Sequence, residues 1–163
     1  MAQLYQRRYL KCPYNRARDL LANVVRSAAQ TGEERVTRLT LAVPAIPGAE
    51  LGKEVAVSVA PARDPMHFDE PWKLQWEPQG GGLYPAFDGT LTVRADESYA
   101  GSILELEGTY NPPLGAAGAA FDMVFGKRIA AETAREFLRR IGTAIEEQYH
   151  EVEEAKHGLS KGS

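Results

Sequence analysis

Residues 104–149 read LELEGTYNPPLGAAGAAFDMVFGKRIAAETAREFLRRIGTAIEEQY. The hydrophobic period changes halfway through. Leu104, Leu106, Gly108 and Tyr110 alternate with Glu105, Glu107 and Thr109, which is the two-residue period of a strand with one oily side. From Phe121 the apolar residues recur at three and four: Phe121, Val124, Phe125, Ile129, Ala130, Ala134, Phe137, Leu138, Ile141, Ile145 and Tyr149. Arg128, Glu132, Arg135, Glu136, Arg139, Arg140, Glu146 and Glu147 fill the opposite side. The stripe predicts a helix of about 30 residues, roughly 45 Å long. Between the two patterns, Pro112 and Pro113 end the strand because proline cannot donate a ladder hydrogen bond. Gly115 and Gly118 then let the chain turn tightly. The segment reads as the hinge that lays a long helix across a sheet. Its small residues, Gly115 to Ala120, would also leave room for a pocket.

Upstream, four more segments have period two. Leu39, Leu41 and Val43 form one, Val55, Val57 and Val59 the next, Trp72, Leu74 and Trp76 the third, and Leu91, Val93 and Ala95 the fourth. Turn chemistry separates them at Pro44–Gly52, Pro61–Pro71, Pro78–Pro85 and Asp96–Gly101. Residues 3–11 predict a first strand. Ala17, Leu20, Leu21, Val24, Val25 and Ala28 predict an amphipathic helix over 16–29, with Asn15 as its N-cap and a break at Gly32. The order is strand, helix, five strands, long helix. Grouped strands with helices at the ends indicate an α+β fold: a curved antiparallel sheet of about six strands wrapped around the C-terminal helix. One domain over 1–156 is expected, followed by a flexible tail at 157–163. Gly126 and Gly142 interrupt the long helix, each costing about 1 kcal/mol relative to alanine if exposed. Gly126 alternatively marks a bend or a close approach to the sheet.

Composition narrows the function classes. The chain has 163 residues and a formal net charge of −3, and a mildly acidic surface does not attract phosphate backbones. No nucleic-acid partner is expected. Cys12 is the single cysteine, so neither an intrachain disulfide nor a multi-cysteine zinc site exists, which fits a reducing cytoplasm. The N-terminus lacks the apolar run of a signal peptide, and no stretch approaches the ~20 apolar residues of a membrane span.

The chemistry-bearing residues form no catalytic constellation. His67 lies near Asp64 and Asp69 without an HxxxH or HExxH pair, and a solvated loop is the favoured reading. His150 and His157 suit the negative end of the helix dipole. Cys12 has no local base and reads as a small buried hydrophobe. Gly80-Gly81-Gly82 has no following Lys-Ser/Thr, so it reads as a hairpin connection, with a gate at a cavity mouth as a minor alternative. Glu105 and Glu107 share one strand face and read as solvent-facing. No metal and no cofactor are expected.

The segments 104–115, 118–122 and 126–138 resemble the end of a START-like (SRPBCC) helix-grip domain, a superfamily that includes polyketide cyclases, lipid-transfer domains and pollen-allergen relatives. The resemblance is best over 85–150 and is one of pattern and element order. It departs from the superfamily in having one good helix after strand one where many members have two. It implies a hydrophobic cavity between helix and sheet. The candidate lining residues are Trp72, Leu74, Trp76, Phe87, Leu104, Leu106, Tyr110, Phe121, Phe125 and Phe137. Tyr84 is a further aromatic candidate for that side. Alternation groups Trp72 with Trp76 and Leu104 with Tyr110, but only register decides whether both groups share a face. The expected partner is a hydrophobic small molecule that is lipid-like, aromatic or polyketide-like. The alternatives are a cyclase- or aromatase-type enzyme using Tyr110, Asp122 and Arg128, or an accessory domain with a filled core. Superfamily alone selects none of these, and no motif encodes the ligand or the oligomeric state.

Overall fold

The computed structural model describes residues 2–29, 35–42, 50–61, 71–79, 85–98, 100–111 and 126–160. Six strands and two helices follow in the order β1 (Ala2–Leu10), α1 (Tyr14–Ala29), β2 (Arg35–Ala42), β3 (Glu50–Pro61), β4 (Trp72–Pro78), β5 (Ala86–Ala95), β6 (Ser102–Asn111) and α2 (Lys127–Ser160). The strands form one sheet in the order β1-β6-β5-β4-β3-β2, and every pairing is antiparallel. The first strand therefore crosses over to pair with the last, while the other neighbours are consecutive.

The expected α+β arrangement holds, but the expected wrap does not. The sheet is not strongly curled, and β1 and β2 remain as separate edges. The helix covers the sheet by its length instead. At 34 residues α2 is about 51 Å long, against roughly 24 Å for the five steps across six strands. It packs on β1 and β6 at one side and on β2 at the other, with α1 alongside it. It continues through His157 to Ser160, into the stretch read as a tail.

Several element boundaries differ from those the periodicity predicts. β3 begins at Glu50, inside the stretch read as a turn, because Ala42 to Thr37 pair with Glu50 to Val55 through backbone groups that need no apolar pattern. β5 begins at Ala86, before its alternation is visible, because Gly89 stands where an inward side chain would. α1 begins at Tyr14, and the Ala17 amide donates to the Pro13 carbonyl at 2.8 Å, so Pro13 and not Asn15 occupies the cap position.

Two glycine positions set the close approaches. Gly142 is buried, and a Cβ there would lie 2.9 Å from Arg8 Nε and 3.0 Å from Leu10 Cδ2. The absent side chain lets α2 come down on β1. Gly89 and Gly108 are register partners at the centre of the sheet, and the Phe87 ring leans over both. A Cβ at Gly108 would also collide with the Asp88 carbonyl and the Gly89 Cα, which are backbone atoms that cannot swing aside.

Gly108→Ala should therefore destabilise the protein by roughly 1–3 kcal/mol, the usual cost of overpacking. Urea denaturation would show this as a lower midpoint with an unchanged slope.

Candidate functional site

The register answers the question that alternation leaves open. Across the sheet, Tyr110 pairs with Phe87, Phe87 with Trp76, and Trp76 with Val57. In another row Leu106 pairs with Leu91 and Leu91 with Trp72, and in a third Leu104 pairs with Val93. Paired residues share a face, so both groups look the same way, toward the helices. Trp72, Leu74, Trp76, Phe87, Leu104, Leu106, Tyr110 and Phe137 all belong to one buried apolar cluster. The other two lining candidates, Phe121 and Phe125, lie outside the described residues, as does Tyr84.

Trp76 is the centre of this cluster. It is fully buried. Its indole stacks on Phe87 with centroids 4.2 Å apart and planes 17° from parallel, and it meets Phe137 of α2 at 5.3 Å. Its Nε1–H donates to the Pro85 carbonyl at 3.1 Å, so the one polar atom of the ring is satisfied and the ring is fixed in orientation. The helix backbone packs chiefly on β1, β6 and β2, while aromatic side chains bridge it to β4 and β5. Ahead of Phe137, α2 buries small residues: Ala130, Thr133 and Ala134 are fully buried. Thr133 places its hydroxyl on the Ile129 carbonyl at 2.7 Å.

The outer sheet face is polar, as the reading of Glu105 and Glu107 anticipates. Glu105 accepts from Tyr5 Oη at 2.9 Å and pairs with Arg94 at 3.4 Å. The hydrogen bond to Glu105, above all, raises the Tyr5 phenol above its ordinary pKa. Asp88 pairs with Lys73 at 3.8 Å and accepts from Gln75 Nε2 at 2.7 Å. The exposed side of α2 carries its own ladder, in which Glu136 accepts from Arg139 at 2.7 Å and Arg140 at 2.9 Å. The Arg139 contact, with that of Arg140, holds the Glu136 carboxyl below the usual range.

The three polar groups nominated for catalysis do not come together among the described residues. Tyr110 is buried in the cluster, Arg128 is exposed on α2, and Asp122 lies outside the described residues. So do His67, the glycines at 80–82 and the hinge at 112–120. His150 is exposed and pairs with Glu154 at 3.0 Å. Cys12 is fully buried, and burial pushes its thiol up to about 11. Its carbonyl accepts from the buried Ser102 hydroxyl at 2.9 Å, a link between the β1–α1 turn and β6. Among the described residues no three His, Cys, Asp or Glu side chains gather closely enough to hold a metal ion. No helix there is long and apolar enough to cross a membrane.

One feature of the inner face escaped the sequence reading. Leu4 and Leu10 of β1 are buried, which fixes the parity of the strand and turns Gln6 and Arg8 inward with them. Both are half-buried, and among the described residues Arg8 Nε is buried without a hydrogen-bond partner. The signal is present in Leu4-Tyr-Gln-Arg-Arg-Tyr-Leu10, where the two leucines lie an even number of residues apart.

No protein-family model matches the sequence, and no curated protein matches it. Among solved structures it is similar to TTHA0849 from Thermus thermophilus, at 12% identity over 88% of this chain and 97% of that one, with a TM-score of 0.49. It is also similar to a START superfamily protein from Mycobacterium smegmatis, at 14% identity over 92% and 98%, with a TM-score of 0.39.

Two outcomes follow from this geometry. Phe137→Ala should cost roughly 3–5 kcal/mol, the usual penalty for deleting a buried ring, and should alter the near-ultraviolet circular dichroism of the stacked indole. Cys12 should resist a disulfide-forming thiol reagent at pH 8 in the native protein and react on unfolding in urea; rapid labelling of the native protein would contradict its burial.

Proposed function

We propose that the protein binds a small hydrophobic molecule, lipid-like, aromatic or polyketide-like, between the inner sheet face and α2. The observation that carries this reading is how helix and sheet meet. The helix backbone packs at the sides of the sheet, and over β4 and β5 the separation is spanned by the Trp76, Phe87 and Phe137 rings. A flat or chain-like guest can insert among such rings with little loss of apolar contact. An antiparallel sheet covered by a C-terminal helix is a helix-grip arrangement, and the reading assigns the chain to the START-like superfamily, whose ligand class it takes by analogy of scaffold. A cytoplasmic location accompanies it, consistent with the lone buried thiol.

A second reading has its own observation. Trp76, Phe87 and Phe137 already touch one another, which favours a filled core and an accessory, partner-binding role.

Native mass spectrometry on freshly purified protein separates the two. Ligand binding predicts a discrete extra mass that is lost on denaturation. Leu106→Trp, which adds bulk at a fully buried inner-face position, should remove that mass while the protein stays folded by circular dichroism. Absence of any extra mass, together with no binding of an apolar fluorescent probe, would favour the filled core.

A further inference from the structure

The inner face of β1 departs from the rest of the cluster. Its inward positions run Ala2, Leu4, Gln6, Arg8 and Leu10. Gln6 pairs with the buried Leu106 and Arg8 with the buried Leu104, so an amide and a guanidinium lie at the border of the apolar cluster. Arg8 is held there. Its Nε and Cδ fill the space that a side chain on Gly142 would take, at 2.9 and 3.0 Å from the Cβ position. Among the described residues no carboxylate or carbonyl accepts from that Nε. Arg8 as a whole is half-buried, and leaving its buried Nε–H without an acceptor is costly. A charged group fixed under a helix backbone, with an apolar surface beside it, is matched by a molecule carrying an anion at one end and an apolar body at the other.

We propose that Arg8 anchors the anionic head of an amphipathic ligand, a carboxylate in the first instance, whose apolar body lies along the inner face toward Trp72. The inference rests on the binding reading above and deepens it. The geometry sets the scale of the ligand. Gln6, Leu106, Leu91 and Trp72 form one row across β1, β6, β5 and β4, and Arg8 is two residues beyond it on β1. Two strand rises of about 3.4 Å and three interstrand steps of about 4.8 Å put Arg8 roughly 16 Å from Trp72. A medium-length alkyl carboxylate spans much of that distance.

The test compares decanoate with 1-decanol by isothermal titration calorimetry on the full chain. The native protein should bind decanoate at least about tenfold more tightly than decanol. Arg8→Met, which keeps an apolar stem without the charge, should abolish that preference while leaving decanol binding intact. Arg8→Lys should retain part of the preference, and its folding guards against a trivial loss in the methionine variant. Equal binding of the two probes by the native protein, or a preference that survives Arg8→Met, would overturn the role of Arg8 and leave the cavity reading standing. Binding of neither probe would overturn both.

Discussion

Trp76 stands where the sheet and the long helix have to meet. A sheet with one apolar face must cover it, and among the described residues α2 is the only element long enough to do so. The stacked Trp76–Phe87 pair and its contact with Phe137 join β4, β5 and α2 at one point. The remaining contacts arrange themselves around this. Gly142 allows the helix to drop onto β1. Gly89 and Gly108 leave a shallow place in the sheet that the Phe87 ring fills, so that the ring lies where it can stack on the indole. Bound to the Pro85 carbonyl, the indole cannot turn away without leaving a buried donor unpaired.

The order of elements and the one-sided character of the sheet were legible because burial writes itself into period. Leu104, Leu106 and Tyr110 face inward and alternate with charge, and the Trp72–Trp76 run does the same. Where an element is held by backbone pairing, the pattern is silent. Residues 50–54 of β3 pair with β2 without an apolar alternation, and β5 interrupts its own pattern at Asp88-Gly89. The curl of the sheet was not legible either. Curvature depends on how the strands twist against one another, and the open edges at β1 and β2 are set by pairing between distant segments.

The candidate surface was legible as a set of residue types and not as a surface. Eight of its ten members gather in one buried cluster, and Phe121 and Phe125 lie outside the described residues. What unites the seven strand residues is register, a tertiary property, and Phe137 joins them from α2 through its contact with Trp76. Arg8 was missed for a related reason. In isolation Arg7 and Arg8 are equivalent, and only the burial of Leu4 and Leu10 directs one arginine outward and its neighbour under the helix. A cation so placed turns an apolar surface into one with a polarity, with its charge at the β1 border and its aromatic rings over the middle strands.

The chain's two tryptophans, Trp72 and Trp76, both belong to the inner face, so their emission reports on that face alone. The most direct measurement is energy transfer from them to a bound uncharged, apolar fluorophore such as N-phenyl-1-naphthylamine, recorded on the native protein. Saturable binding with quenching of tryptophan emission and matching sensitised emission from the probe is the result expected if guests enter between sheet and helix. No binding, or binding that leaves tryptophan emission unchanged, would contradict the account and leave the inner face as packed core.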